Sequence, residues 1–303
     1  MRWKKLARPL FLLVALVFIA YAARDLVQRW ESGRVAVKIP LALLAAVPLW
    51  LAALLQACGW MALIQRMSGR KIPAGASLGL YLDSQLARYV PGMVSLPLVR
   101  MHGAARLGIS PVTVGTSVLL EMASWTGVGG GLGFLLIAVI TAQLSHVSTA
   151  WSRGSTALVV AFAGSVIALL AVDRRRLPSS SLRALRLDGS GPLIPAKLPT
   201  IHLAYWAAWA AHGWLVGLAL GAPLQAALSG SAWFVLAPVA GFVALAAPAG
   251  LGVREGVLYL GLSSVLGPVP AATAALLSRT TSLSADLGIW LLARPFSGSK
   301  PTT

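Results

Sequence analysis

Eight ionisable residues stand inside stretches otherwise apolar enough for a membrane interior: Asp83, Arg88, Arg100, Glu121, Arg254, Glu255, Arg279 and Asp286. Insertion scales charge roughly 2.5–3.5 kcal/mol for such a residue at a helix centre. Even half that cost, summed over the set, is large against a folding stability of about 5–15 kcal/mol. Four are acids and four are arginines, so mutual pairing is expected. Pairing lowers the cost of burial but seldom makes it favourable by itself. Charge kept at this cost marks a substrate or ion pathway. The bland alternative is a set of helix-locking salt bridges, or arginines whose heads reach the lipid phosphates. Catalytic chemistry finds little support: there is no phosphate-binding Walker loop, no H-E-x-x-H, no C-x-x-C and no G-x-S-x-G. Anion recognition fits the residue types better, because a guanidinium fork matches phosphate.

Two stretches position these groups. Residues 248–256 read PAGLGVREG, where Pro248, Gly250 and Gly252 interrupt a helix and a new one can begin near Val253–Glu255. The first N–H groups of that helix are unpaired and turn the positive end of its dipole toward whatever lies ahead. Arg254 adds a cationic fork there. Glu255 then tempers the field, pairs with Arg254 or another arginine, or holds Arg254 until an anion displaces it. The second stretch, ARYVPGMVSLPLVR, breaks at Pro91 and Gly92 and ends on Arg100. Non-helical backbone at membrane depth persists only where protein or a water-filled cavity satisfies it. Segments 73–105 and 248–267 are therefore predicted to be re-entrant or broken helices. Long spans follow both, one carrying Glu121 and the other Arg279 with Asp286, seven residues apart on one helix face. Paired interruptions of this kind point to a transporter's binding site and suggest an inverted repeat.

The surrounding chain is a membrane protein by composition. Of 303 residues, 57% are hydrophobic and 11% charged, against about 25% charged in soluble domains. Spans are predicted at about 9–24, 39–64, 110–143, 155–172, 200–221, 224–247 and 269–292, each near the roughly 20 residues a crossing needs. The fold class is all-α: a polytopic helix bundle of seven or eight spans forming a single integral-membrane domain over 1–303. The net charge of +17 lies mostly in short connections. The positive-inside rule accounts for this, and basic loops also attract anionic headgroups. No nucleic-acid reader module is visible. The basic loop 173–199, the N-terminus and the Arg66/Arg70/Lys71 turn are placed in the cytoplasm, in a cell inner membrane. The basic start followed by Ala20-Tyr21-Ala22 has the look of a signal peptide, but the spans that follow favour retention as a first span.

Smaller features have plainer readings. The single cysteine, Cys58, excludes intrachain disulfides and a thiol metal cluster, and is read as a packing residue. The four histidines lack metal-ligand spacing, so neither metal nor cofactor is expected. Gly127, Gly129, Gly131 and Gly133 form overlapping G-x-x-x-G pairs suited to helix packing. His202, Tyr205, Trp206, Trp209 and His212 share one helix face, read as an interfacial belt or packing face before a substrate wall.

SQLARYVPGMVSLPLVR (84–100), SVLLEMASW (117–125), PAGLGVREGVLYLGL (248–262) and AALLSRTTSLSADL (274–287) together carry a resemblance. In order and spacing, over about residues 8–294, the chain resembles the lysylphosphatidylglycerol synthase transmembrane-region family, also described as flippase-like domain proteins. The resemblance implies a bundle with re-entrant helices that moves anionic or modified lipids between leaflets. It transfers family importance to Arg100, Glu121, Arg254, Glu255 and Arg279. Bifunctional members carry a further soluble domain that moves an aminoacyl group from tRNA to phosphatidylglycerol. With the sequence ending at Thr303, that activity is not expected here. Two departures bear on lipid specificity: Ala87-Arg88 stands where Gly-Lys is common, and Pro97-Leu98-Val99 where some members have Gly-Glu. The expected function is a flippase-like transporter of an anionic or modified phospholipid or a lipid-linked intermediate. The alternatives are a scaffold subunit of a lipid- or glycan-modifying complex and an intramembrane lipid-modifying enzyme. The expected partners are membrane lipids, together with a second copy of the chain or another membrane protein.

Overall fold

A computed structural model describes residues 36–87, 95–143, 194–244 and 250–297, with Arg24 and Gln28. Among these residues every regular element is a helix: α1 (Ile39–Leu44), α2 (Ala46–Ser68), α3 (Ala74–Ala87), α4 (Ser95–Ala105), α5 (Pro111–Gln143), α6 (Lys197–Ala219), α7 (Leu224–Val243), α8 (Val253–Leu266) and α9 (Pro268–Ser297). The all-α fold class therefore holds. The predicted span at 9–24 apart from Arg24, the span at 155–172, and most of the 173–199 loop lie outside the described residues.

Among the described residues, three stretches are long and apolar enough to cross a membrane: Ile39–Ser68, Pro111–Ile140 and Leu224–Val243. The predicted spans at 200–221 and 269–292 do form helices, of 23 and 30 residues. Their Trp, His, Ser, Thr and Arg content keeps them below the same apolarity. The side-chain distribution is inverted relative to a water-soluble protein. Leu43 (71% exposed), Val47 (60%) and Leu51 (53%) follow one another at four-residue spacing along the outer face of α1 and α2. Ser84, Ser117, His202, His212, Thr273 and Ser278 are meanwhile wholly buried. In hydrocarbon, helices gain nothing by burying leucine and gain by pairing polar groups internally. Cys58 faces outward with this surface rather than into the packing, a correction to its predicted role.

The chain divides into two compact units: Met1–Trp50, Arg88–Met93 and Trp209–Gly288 in one, and Leu51–Ala87, Val94–Ala208 and Ile289–Thr303 in the other. One order of elements occurs in each. In the second unit α3 is followed by the short helix α4, a turn, and the long helix α5 beginning on Pro111. In the first, α7 is followed by an interruption, the short helix α8, a turn at Gly267, and the long helix α9 beginning on Pro268. Proline suits the first turn of a helix because its missing N–H would have no partner there. Each short helix packs on a neighbour, α4 on α3 and α5, and α8 on α7.

The glycines at the second break are needed for two reasons. Gly250 and Gly252 have φ of +69° and +82°, a region that side-chain-bearing residues avoid. A Cβ on Gly250 would also lie 2.7 Å from the Gly241 Cα, so the start of α8 rests directly on the backbone of α7. In the glycine run of α5, the helix packing predicted for it is seen at Gly129, where α6 comes close. Gly129 receives the Trp206 indole, where a Cβ would meet ring carbon at 2.2 Å, whereas Gly131 faces open space. Gly250→Ala is expected to destabilise the protein by about 1–3 kcal/mol through strain and contact together. Thermal unfolding in detergent, with Gly131→Ala as the tolerated control, measures this.

Candidate functional site

Each unit buries arginine on its short helix and satisfies it from the long helix that follows. In the second unit Arg100 is 1% exposed and Glu121 3%. The Arg100 Nη1 donates to the Glu121 carboxylate, which also accepts from the Tyr81 hydroxyl at 3.2 Å. Arg100 Nε donates to Ser84 Oγ at 2.8 Å. The guanidinium lies against the Tyr81 and Trp60 rings, 4.3 and 4.9 Å from their centroids, and cation–π attraction grows when the cation is desolvated. Trp60 is itself held by its indole N–H on Ser117 Oγ at 3.1 Å. This is a neutral, closely enclosed cluster. Its geometry suits locking α3, α4 and α5 together better than meeting a ligand. The same unit holds Asp83, half-buried, accepting from the Trp290 indole at 2.9 Å.

In the first unit Arg254, Glu255 and Arg279 come together at the start of α8. Glu255 acts in two directions. Its Oε2 accepts from the Gly252 backbone N–H at 2.8 Å, capping the new helix from its third position. Its Oε1 lies 3.5 Å from Arg279 Nη1, an ion-pair distance longer than a good hydrogen bond. Of the open readings for Glu255, the geometry thus selects pairing with an arginine other than its neighbour. Glu255 keeps 21% of its side chain exposed while Arg279 keeps 3%.

Arg254, 7% exposed, turns the other way, onto α9. Its Nη1 donates to Ser282 Oγ at 3.1 Å, and its Nη2 donates to Ser278 Oγ at 2.9 Å and the Ser278 carbonyl at 3.3 Å. Its guanidinium lies over Trp209, 5.0 Å from the ring centroid. Behind Ser278 stands His212, fully buried. His212 Nδ1 is 2.8 Å from the Ala45 carbonyl, which can only accept, so Nδ1 carries hydrogen. His212 Nε2 then accepts from Ser278 Oγ at 3.0 Å, leaving the serine oxygen free to accept from Arg254. The chain Arg254, Ser278, His212, Ala45 is a directional relay that fixes the guanidinium plane. Asp286 lies two turns beyond Arg279 on α9 and is half-buried.

The predicted site residues therefore fall into two groups, one per unit. Arg100, Glu121 and Asp83 belong to the second unit, and Arg254, Glu255, Arg279 and Asp286 to the first. Arg88, Pro91, Gly92 and Pro248 lie outside the described residues. Several partners were not predicted: Tyr81, Ser84 and Trp60 around Arg100, and Ser278, Ser282 and Trp209 around Arg254. Ser278 and Ser282 had a usable signal, hydroxyls four residues apart flanking Arg279 on one helix face. The stripe of His202, Tyr205, Trp206, Trp209 and His212 is buried along its whole length, so it is a packing face and not an interfacial belt. Trp206 donates to the Trp125 carbonyl at 2.9 Å, and His202 Nδ1 meets Ser124 Oγ at 2.9 Å.

Apolar helices, lipid-facing leucines and buried charge define an integral membrane protein. The chain matches the family model described as the lysylphosphatidylglycerol synthase TM region over residues 6–287, and it belongs to that family. It is thus a membrane protein related to lipid handling. No curated protein matches it.

Removing one partner of an enclosed ion pair strands the other, at about 3–5 kcal/mol. Glu121→Gln is accordingly expected to lower thermal stability strongly. The double replacement Arg100→Met with Glu121→Leu is expected to recover most of that loss, since it removes both charges. Unfolding curves of the three proteins in one detergent test the pair.

Proposed function

We propose that the protein is a flippase-like transporter that moves an anionic or modified phospholipid, or a lipid-linked intermediate, between the leaflets of the cell inner membrane, with its N-terminus in the cytoplasm. The observation carrying this reading is the cluster at the start of α8, where two buried arginines and a partly exposed carboxylate gather around a helix N-terminus. Glu255 holds Arg279 at ion-pair distance rather than in a tight hydrogen bond. An anion with phosphate chemistry competes with such a carboxylate for the guanidinium fork. Arg254, oriented by Ser278, Ser282 and Trp209, supplies a second donor group whose plane is already set, so little ordering cost falls on binding.

In this reading the headgroup phosphate displaces Glu255 from Arg279 while the tails remain in hydrocarbon. No bond is made or broken, and movement is driven by a gradient or by downhill flow of the lipid. Glu121 belongs to the enclosed cluster of the other unit and serves as a lock. Membership of a lipid-related family supports the substrate class, and the site's chemistry supports an anionic headgroup.

Arg254→Ala, reconstituted in vesicles, is expected to slow leaflet transfer of a labelled anionic phospholipid at least about tenfold, the scale on which buried charged contacts act. Arg254→Lys should fail to restore it, because an ammonium cannot reach Ser278 and Ser282 together. Unimpaired transfer by a stably folded Arg254→Ala protein would sink the proposal and favour a scaffold role. Ser278→Ala is expected to weaken transfer less than Arg254→Ala does, since it frees the guanidinium plane without removing the charge.

A further inference from the structure

Five exposed cations from three separate parts of the chain meet at one end of the second unit. Arg66 lies in the last turn of α2, and Arg70 and Lys71 in the turn after it. Arg106 follows α4, and Lys197 opens α6. Specific contacts bring them together. The Arg70 guanidinium reaches the turn after α4, 3.5 Å from the Leu107 carbonyl, and lies where a Cβ on Gly108 would stand. Ile194 and Leu198, at the start of α6, pack in one cluster with Leu63 and Met67 near the end of α2. Gln65 donates to the Ile72 carbonyl at 3.2 Å and ties the α2–α3 turn down. Among the described residues this end carries no compensating acid: 59–80, 101–118 and 194–203 contain neither Asp nor Glu. Helices α3, α5 and α6 all begin here with no acidic residue in the first turn, three N-termini against the C-termini of α2 and α4, so the helix dipoles do not cancel the field of the side-chain cations.

The depth of this cluster indicates what it faces. Arg66 ends the long apolar Ile39–Ser68 stretch, and Arg106 stands beside the start of α5, where Val112 is 45% exposed. Cations at the ends of lipid-facing helices sit at headgroup level. We infer that this end of the unit is a docking surface for the headgroups of anionic phospholipids, in one leaflet, separate from the arginines buried around Glu121 and Glu255. The inference is independent of whether the protein transports lipid.

Each cation near a membrane surface strengthens attraction for anionic lipid about fivefold, and one headgroup meets only a few of the five. Purified protein in detergent, offered equal phosphatidylglycerol and phosphatidylcholine, is therefore expected to retain the former in at least about tenfold excess by native mass spectrometry. The variant R66Q/R70Q/K71Q/R106Q/K197Q should lose most of that excess while unfolding at an unchanged temperature. Equal retention of the two lipids by the wild type, or an undiminished preference in the variant, overturns the inference. Working in detergent removes any effect of altered charge on membrane orientation. If the variant does not fold, salt decides with the wild type alone. Exposed charges are screened on going from about 50 to about 500 mM salt and buried ones much less, so a preference that falls supports the surface and one that persists overturns it.

Discussion

An arginine placed among apolar helices cannot be left to itself, and the architecture follows from how each one is satisfied. A guanidinium presents five donors in a rigid plane, and hydrocarbon offers none of the acceptors that water would. Both units meet this demand with the same local construction, a short helix bearing the arginine and a long helix after it bearing the acceptors. Arg100 is answered by Glu121, and Arg254 by Ser278 and Ser282. The break at Gly250–Gly252 is what allows the short helix α8 to be set against its neighbour at all.

The two constructions differ in ways that matter for chemistry. Around Arg100 the acceptor is a full carboxylate, enclosed by Tyr81, Ser84 and Trp60, and the charges cancel within the protein. Around α8 the carboxylate is Glu255, which is partly exposed, already committed by one oxygen to the helix cap, and set loosely against Arg279. Buried ion pairs with every group satisfied hold a structure in one arrangement. A loose pair beside a helix N-terminus can exchange partners. The contrast separates residues with the same signature, an embedded Arg and an embedded Glu, into a lock and a candidate site.

Glycine and serine do much of the positioning. Gly250 lets α8 start against the backbone of α7, and Gly129 opens α5 to an indole from α6. Ser278 passes one hydrogen bond from Arg254 to His212, whose opposite nitrogen is fixed by the Ala45 carbonyl. Small side chains bring backbones and polar heads into reach where lipid supplies no hydrophobic drive for helix association.

The sequence by itself determined that the chain is a helical membrane protein, that helices break near Gly250–Gly252, and that Arg254 and Glu255 stand at the start of a new one. Each of these follows from local physics: runs of apolar residues, left-handed glycines and a carboxylate three residues after a cap. The tertiary structure alone decided who answers whom. Glu255 reaches Arg279 rather than its neighbour, Arg100 takes Glu121 from 21 residues away, and the aromatic stripe of α6 turns inward. Such pairings depend on which helices are adjacent and on their rotation about their axes. With apolar residues on nearly every face, the sequence carries too weak a periodicity to fix that rotation, and it is the burial of the few polar groups that sets it.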